Sequence, residues 1–386
     1  MLKANHRAWV EVDVGAIAHN VQQILGTLAA GTQLLAVVKA DAYGHGAVAV
    51  SRTAVAAGAR WLGVATVGEG IELRQGGLTV PILVMGALRQ REEMAAAIAH
   101  GLHPTVCDRD QAVLLNEEAA NRGAYLPVHL KIDTGMGRLG LPWPEAVATA
   151  TEIAGLPHLA IEGIYTHFAN ADEPDPAPTL VQQQRFTEIC QALAAVGIRP
   201  QWQHQSNTAA MLDRRFCRGN LVRVGLGLYG YAPAPHQQGI LDLRPALQVW
   251  ARITQLKEVP AGVGLSYGWR FVTDRPTRVA TVAIGYADGV PRALSNRIVA
   301  SWQGQTLPQI GTITMDQSLW DVTAAPAIAV GDAMAVLGPH GDAAQWAGLT
   351  GTIPWEILCG FKHRLPRLPV GMPTATSGLT VPKPSV

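Results

Sequence analysis

The feature that most constrains this chain is a rhythm. From residue 34 onward, short apolar runs alternate with alanine-rich stretches of helical character. The apolar runs cover residues 34–39, 61–65, 80–85, 102–106, 128–132, 159–166, 202–206 and 221–226, and residues 47–57, 91–100, 144–153 and 179–196 read as helices between them. Strands that alternate with helices form βα units and a parallel sheet. Eight such units predict a closed, TIM-like (β/α)8 barrel, with its chemistry on the loops that follow the strands.

The rhythm stops after Tyr231. Residues 232–245 hold Pro233, Pro235 and Pro245 and little apolar periodicity, as a connector should. Beyond it, runs at 248–259, 278–284, 297–302, 310–322 and 333–337 are separated by Gly, Pro and Asp turns. The expected architecture is therefore an α/β barrel over residues 1–240 followed by a C-terminal all-β domain over 241–370, and the first ten or so residues can pair with that second domain. The final stretch, 371–386, is Pro, Thr, Ser and Gly with nothing to bury, and is expected to be disordered.

Composition narrows the class of partner. Lys plus Arg number 30 and Asp plus Glu 29, so no net field draws nucleic acid or anionic lipid, and a small molecule is the default ligand. Cys107, Cys190, Cys217 and Cys359 are widely spaced and form neither a zinc pattern nor a disulfide framework, which suits reduced thiols in the cytoplasm. No signal peptide and no apolar run of membrane-spanning length is visible, so a soluble cytoplasmic protein is expected. His100 and His103 form an H-x-x-H pair without a third ligand at metal spacing, which reads as a solvated loop, and no metal site is assigned.

Two motifs carry candidate chemistry. The first apolar strand ends in Lys39, with Tyr43 four residues on. A lysine snorkelling from a strand end is the ordinary reading, but one at the mouth of an apolar barrel can lose its proton through desolvation, which a covalent cofactor anchor requires. The second motif, residues 225–230, matches G-x-G-x-x-G. A dinucleotide fingerprint should open a helix within a βαβ unit, whereas this one runs into the proline-bearing connector, so the glycines are better suited to close approach of a phosphate to backbone N–H groups.

The segment AVVKADAYGHG at 36–46 resembles the cofactor-lysine signature of alanine racemases. The similarity continues through WVEVDVGAIAHN (9–20), VHLKIDTGMGRLG (128–140), THFANAD (166–172), RVGLGLYGY (223–231), LSYG (265–268), IGYADGVPR (284–292), TMDQ (314–317) and TIPWEILCGFKHRLPR (352–367). It implies pyridoxal 5'-phosphate as cofactor, interconversion of L- and D-alanine, and supply of D-alanine for bacterial peptidoglycan. It also implies the same barrel and β domain.

The resemblance assigns roles residue by residue. Lys39 anchors the cofactor; Tyr43, Thr208, Gly225 and Leu226 hold its phosphate; Arg223 faces its pyridine nitrogen. A guanidinium there only donates, which leaves the ring a weaker electron sink and limits side reactions. Racemisation needs an acid/base group on each face of Cα. Lys39 serves one face, and Tyr267, assisted by His167, is implied for the other. The implied assembly is a homodimer in which Tyr267, Tyr286, Met315 and Asp316 come from the second subunit. Arg138 is implied beside the substrate carboxylate, steadied by Lys131, which carries a carbamate in several family members; an ordinary lysine paired with Asp133 is the alternative.

Two positions depart from the family pattern. Trp355 stands where a tyrosine is common, and an indole N–H does not reproduce a phenol in reach or acidity. Thr208 replaces a commoner serine, one hydroxyl for another. Serine is the competing substrate, because a small pocket excludes one added hydroxyl poorly. A barrel decarboxylase and a non-catalytic pyridoxal-phosphate carrier are the other readings. The region 246–370 and the LSYG and TMDQ segments speak against them.

Overall fold

The computed structural model describes residues 6–371, so the tail expected at 371–386 lies, Gly371 apart, outside the described residues. Eight parallel strands pair in chain order: Gln33–Val37, Trp61–Val64, Ile82–Ala87, His103–Val106, Leu126–Asp133, Leu159–Tyr165, Trp202–His204 and Leu221–Val224. The last pairs in parallel with the first, and the remaining seam carries only sparse backbone bonds, Asn220 N–H to Gln203 O (3.1 Å) and Arg223 N–H to Ser206 O (3.0 Å). The result is a nearly closed barrel. Apolar residues dominate the first strands because one face fills the barrel and the other packs on helices, and Leu34, Leu35 and Ala36 are all fully buried, whereas the later strands also carry polar side chains such as His129, His204 and Arg223.

The second unit is an eight-stranded sheet joined by both ends of the described chain. Ala8–Asp13 runs antiparallel to Leu247–Val259 and parallel to Arg367–Val370. Two short helices, Ala343–Thr350 and Pro354–Gly360, break the otherwise all-β texture of this region. The second of them reaches back to the barrel: the Arg367 guanidinium that follows it donates to Gly44 O (3.1 Å) and Phe361 O (2.8 Å).

The first barrel strand ends at Val37, two residues short of the boundary the apolar run suggests. Lys39 instead opens a left-handed turn, with φ between 52° and 54° at Ala40, Asp41, Ala42 and Tyr43. Left-handed helical backbone costs a residue with a Cβ about 1–2 kcal/mol, so four in succession must be held by their surroundings. They are held. Ala42 N–H donates to Val38 O (2.9 Å), Ala40 N–H to Glu69 Oε1 (2.7 Å) and Ala47 N–H to Asp41 Oδ1 (2.7 Å). Glu69 is also the capping-box residue of helix Val67–Gln75, so one carboxylate fixes a helix start and the lysine turn together.

Candidate active site

A cavity of about 500 Å³ opens where the barrel strands end. Lys39, Tyr43, Lys131, Arg138 and His167 line one part of it, and Thr208, Arg223, Gly225, Leu226 and Trp355 another. Ten of the sequence-predicted residues thus meet in one place. Tyr267, Tyr286, Met315 and Asp316 do not line it. They lie on the β domain, where Thr312 Oγ1 donates to Tyr267 O (2.8 Å), Tyr286 N–H to Thr314 O (3.0 Å) and Ala287 N–H to Met315 O (2.9 Å). Tyr267 is 71% exposed.

The cavity is cationic. Lys39 is half-buried and its ammonium pKa is lowered, first by desolvation and then by the charge of Arg138, with Glu69 pulling weakly the other way. Lys131, almost wholly buried, is lowered to about 8 by burial and by Arg138 and Arg223. It lies 5.5 Å from the centre of the Tyr165 ring. Asp133, its suggested partner, spends its carboxylate on the backbone N–H groups of Gly135 and Gly137, both at 3.0 Å. Arg138 forms no ion pair among the described residues and is available to an incoming anion.

Arg223 is 3% exposed and has no carboxylate within ion-pair distance among the described residues. Its terminal nitrogens donate to Thr166 O (2.8 Å) and His204 O (3.0 Å), and also approach His204 Nδ1 and His167 Nδ1, both at 3.2 Å. Burial lowers its pKa to about 10, which still leaves it charged at neutral pH. An arginine can only donate, so both histidine nitrogens accept, and His167 carries its proton on Nε2. Burial and the charge of Arg223 drive the His167 pKa well below its ordinary value, keeping the ring neutral.

The opposite wall is shaped for a phosphate. Gly225 lies against Tyr43: a Cβ added there would sit 2.5 Å from the phenol oxygen. Gly225 N–H donates to Thr208 Oγ1 (3.2 Å), and Thr208 opens the short helix Thr208–Leu212. The glycine motif itself forms a four-residue 3-10 turn, Leu226–Tyr229, flanked by Gly225 and Gly230, and opens no dinucleotide-binding helix. A hydroxyl, a phenol, backbone N–H groups and a nearby ammonium therefore converge, a donor set that fits pyridoxal phosphate.

Sequence reasoning missed three features. His204 is fully buried inside the barrel and touches Arg223. Tyr165 stacks on His204 with ring centres 4.7 Å apart. His103, read from sequence as part of a solvated loop, is the first residue of a barrel strand and its Nδ1 lies 2.7 Å from Glu162 Oε2. For His129 the available signal was a polar residue between Val128 and Leu130 in a largely apolar strand; the short polar strand Trp202–His204 offered no such signal for His204.

Comparison with known proteins agrees with this geometry. The model of the alanine racemase N-terminal domain matches residues 12–233, and that of the alanine racemase C-terminal domain matches residues 246–369. The chain belongs to the alanine racemase family. The alanine racemase of Synechocystis sp. is 49% identical over 366 residues, 94% of this chain and 98% of that one. Among solved structures, the alanine racemase of Clostridium difficile 630 superposes with a TM-score of 0.90 at 35% identity, covering 95% of this chain and 96% of that one. An alanine racemase from Bartonella henselae, solved with covalently bound pyridoxal phosphate, gives 0.84 at 28% identity over 95% of this chain and all of that one. As an alanine racemase family member the chain is an isomerase, and the decarboxylase and carrier readings are not favoured.

Proposed function

We propose that this protein interconverts L- and D-alanine at the barrel mouth, with Lys39 and a Tyr267 from a second subunit as the two acid/base groups. The observation that carries the proposal is the separation of these residues. Lys39 lines a cavity that holds the rest of the cofactor-binding set, whereas Tyr267 stands 71% exposed on the β domain, outside it. A single chain offers a base for one face of Cα only, and a dimer that inserts Tyr267 into its neighbour's cavity supplies the other.

When bound, pyridoxal phosphate supplies the electron sink that acidifies the substrate Cα–H. Covalent pyridoxal phosphate in the Bartonella henselae relative supports this choice of cofactor. Lys39 is its anchor, made nucleophilic by desolvation and by Arg138. Tyr43, Thr208 and the backbone of Gly225 and Leu226 hold the phosphate, with Trp355 on the rim. Arg223 donates toward the pyridine nitrogen, since the Nε–H is the one part of its guanidinium that has no hydrogen bond among the described residues. Arg138 takes the substrate carboxylate. Lys131, with a pKa near 8, holds enough neutral amine to add carbon dioxide, and the resulting carbamate would give Arg138 an anionic partner.

Subunit complementation tests the assignment. Lys39→Ala and Tyr267→Phe variants are each expected to be inactive. After mixing and subunit exchange, half the dimers are mixed and each has one intact site, so activity should return to about a quarter of wild type. If lysine and tyrosine act within one chain, no activity returns. Deuterium uptake from solvent at Cα of L-alanine reports the proton transfer directly, and parallel assays with L-serine measure how far the Trp355 pocket admits the hydroxyl. D-Alanine made in the cytoplasm would serve peptidoglycan synthesis. No helix among the described residues is long and apolar enough to cross a membrane.

A further inference from the structure

A ladder of side chains runs through the barrel interior from Arg223 toward the N-terminal ends of the strands. Arg223 Nη1 is 3.2 Å from His204 Nδ1, and His204 Nε2 is 2.9 Å from His129 Nδ1. His129 Nε2 is 3.8 Å from Glu162 Oε2, which in turn receives His103 Nδ1 at 2.7 Å. His129 and His204 are fully buried, whereas Glu162 and His103 are partly exposed, with side-chain exposures of 25% and 14%. Trp61 packs against both His103 and His129, with ring centres 4.9 and 5.1 Å away.

The direction of every bond in this ladder follows from its top rung. A guanidinium has only donors, so His204 Nδ1 accepts. Neutral His204 then carries its proton on Nε2 and donates to His129 Nδ1. His129 in turn carries its proton on Nε2, a fully buried N–H with no hydrogen-bond partner among the described residues. The nearest acceptor in its path is the Glu162 carboxylate. A buried N–H left unpaired is costly, and an anion 3.8 Å away is what favours this tautomer over its mirror arrangement. In the mirror arrangement His129 would donate to His204, and His204 Nδ1–H would confront the Arg223 N–H.

We propose that Glu162, held by His103, is a positioning residue that fixes the tautomers of His129 and His204, and so presents a bare nitrogen lone pair that locks the Arg223 guanidinium in place. The two ends of the ladder select the same tautomers, which makes the chain cooperative. Burial alone would raise the Glu162 pKa, but the His103 hydrogen bond and the approach of His129 hold it near 2, so the anion persists across the working range. The inference rests on the proposed function only for what Arg223 faces.

The same geometry has a second reading. The ligand atoms of His103, His129 and Glu162 lie within 4.8 Å of one another, a spacing open to a divalent cation. A cation needs the His129 Nε2 lone pair, which the ladder assigns to a proton. The two readings exclude each other.

Imidazole 15N spectra of the cofactor-free protein, assigned with His129→Gln and His204→Gln variants, decide between them. The expected result is neutral Nε2–H rings for both residues in wild type, and a shift of both toward mixed tautomers in Glu162→Gln, with kcat reduced several-fold and KM for alanine unchanged. A His204 ring protonated on Nδ1, or tautomers unmoved by Glu162→Gln, would overturn the proposal. Displacement of the His129 Nε2 proton by one equivalent of zinc chloride would overturn it in favour of a metal site. The tautomer readout needs no cofactor, so a protein that showed the shift yet bound no pyridoxal phosphate would contradict the proposed function alone.

Discussion

Lys131 shows most clearly how burial sets chemistry at a single residue. Its folded-state pKa of about 8 lies below the ordinary lysine value of 10.5 because the ammonium is buried beside Arg138 and Arg223. Between those two values the unfolded chain holds a proton that the folded chain has released, so stability rises with pH across that window. Below about pH 8 both states are protonated and the full cost of the buried charge is present. Lys131→Met removes this titration. In carbon-dioxide-free buffer, urea unfolding of the cofactor-free proteins should show wild type gaining up to ~3 kcal/mol on the variant between pH 8 and 10.5, and parallel curves would refute the burial argument. Lys39, Tyr43 and Arg138 were legible in the sequence because a long family motif surrounds each of them. His204 and Glu162 were not, because their roles depend on barrel closure: His204 meets His129 across 75 residues of chain.

At the scale of the element, the left-handed turn after Lys39 is the least regular part of the barrel and the most consequential. Its sequence, Ala40 to Tyr43, contains no glycine and gives no local sign of positive φ. The apolar run in front of it was legible as a strand; its last two residues and the turn were not, because the conformation is held by Glu69 and Arg367 from outside and by the Asp41 carboxylate within it. Glu69 is the key partner, accepting from Ala40 N–H and Ala65 N–H, both at 2.7 Å, and from Thr66 N–H at 3.2 Å. Glu69→Ala removes the capping box and leaves those donors to solvent, at a cost of about 0.5–2 kcal/mol in stability. The same change releases the turn that aims Lys39, so cofactor affinity should fall as well. Thermal unfolding and cofactor titration measure the two losses. A variant that loses stability but keeps wild-type cofactor affinity would show that the turn holds itself.

Across the whole molecule, the barrel and the all-β region after it were readable because parallel strands buried on both faces favour apolar runs, which alternate here with helical stretches. What no single-chain reading supplies is the surface that completes the site. Around Tyr267 the β domain exposes Trp269 at 72%, Val272 at 54% and Met315 at 54%, large apolar groups that a monomer gains nothing by displaying. Trp269 is held in place, since a Cβ on Gly264 would fall within 2.4 Å of its ring, so its exposure is built in and not a loose rotamer. Burying such an indole in a neighbour contributes about 2–3 kcal/mol, and replacing it with a carboxylate exchanges that gain for a desolvation cost. Trp269→Glu should therefore dissociate the proposed dimer without touching the Lys39 cavity. Sedimentation should report monomers that still bind pyridoxal phosphate, and racemase activity should fall in step with dissociation and recover as protein concentration is raised. A variant that stays dimeric and fully active would place the interface, and with it the second base, somewhere other than this face of the β domain.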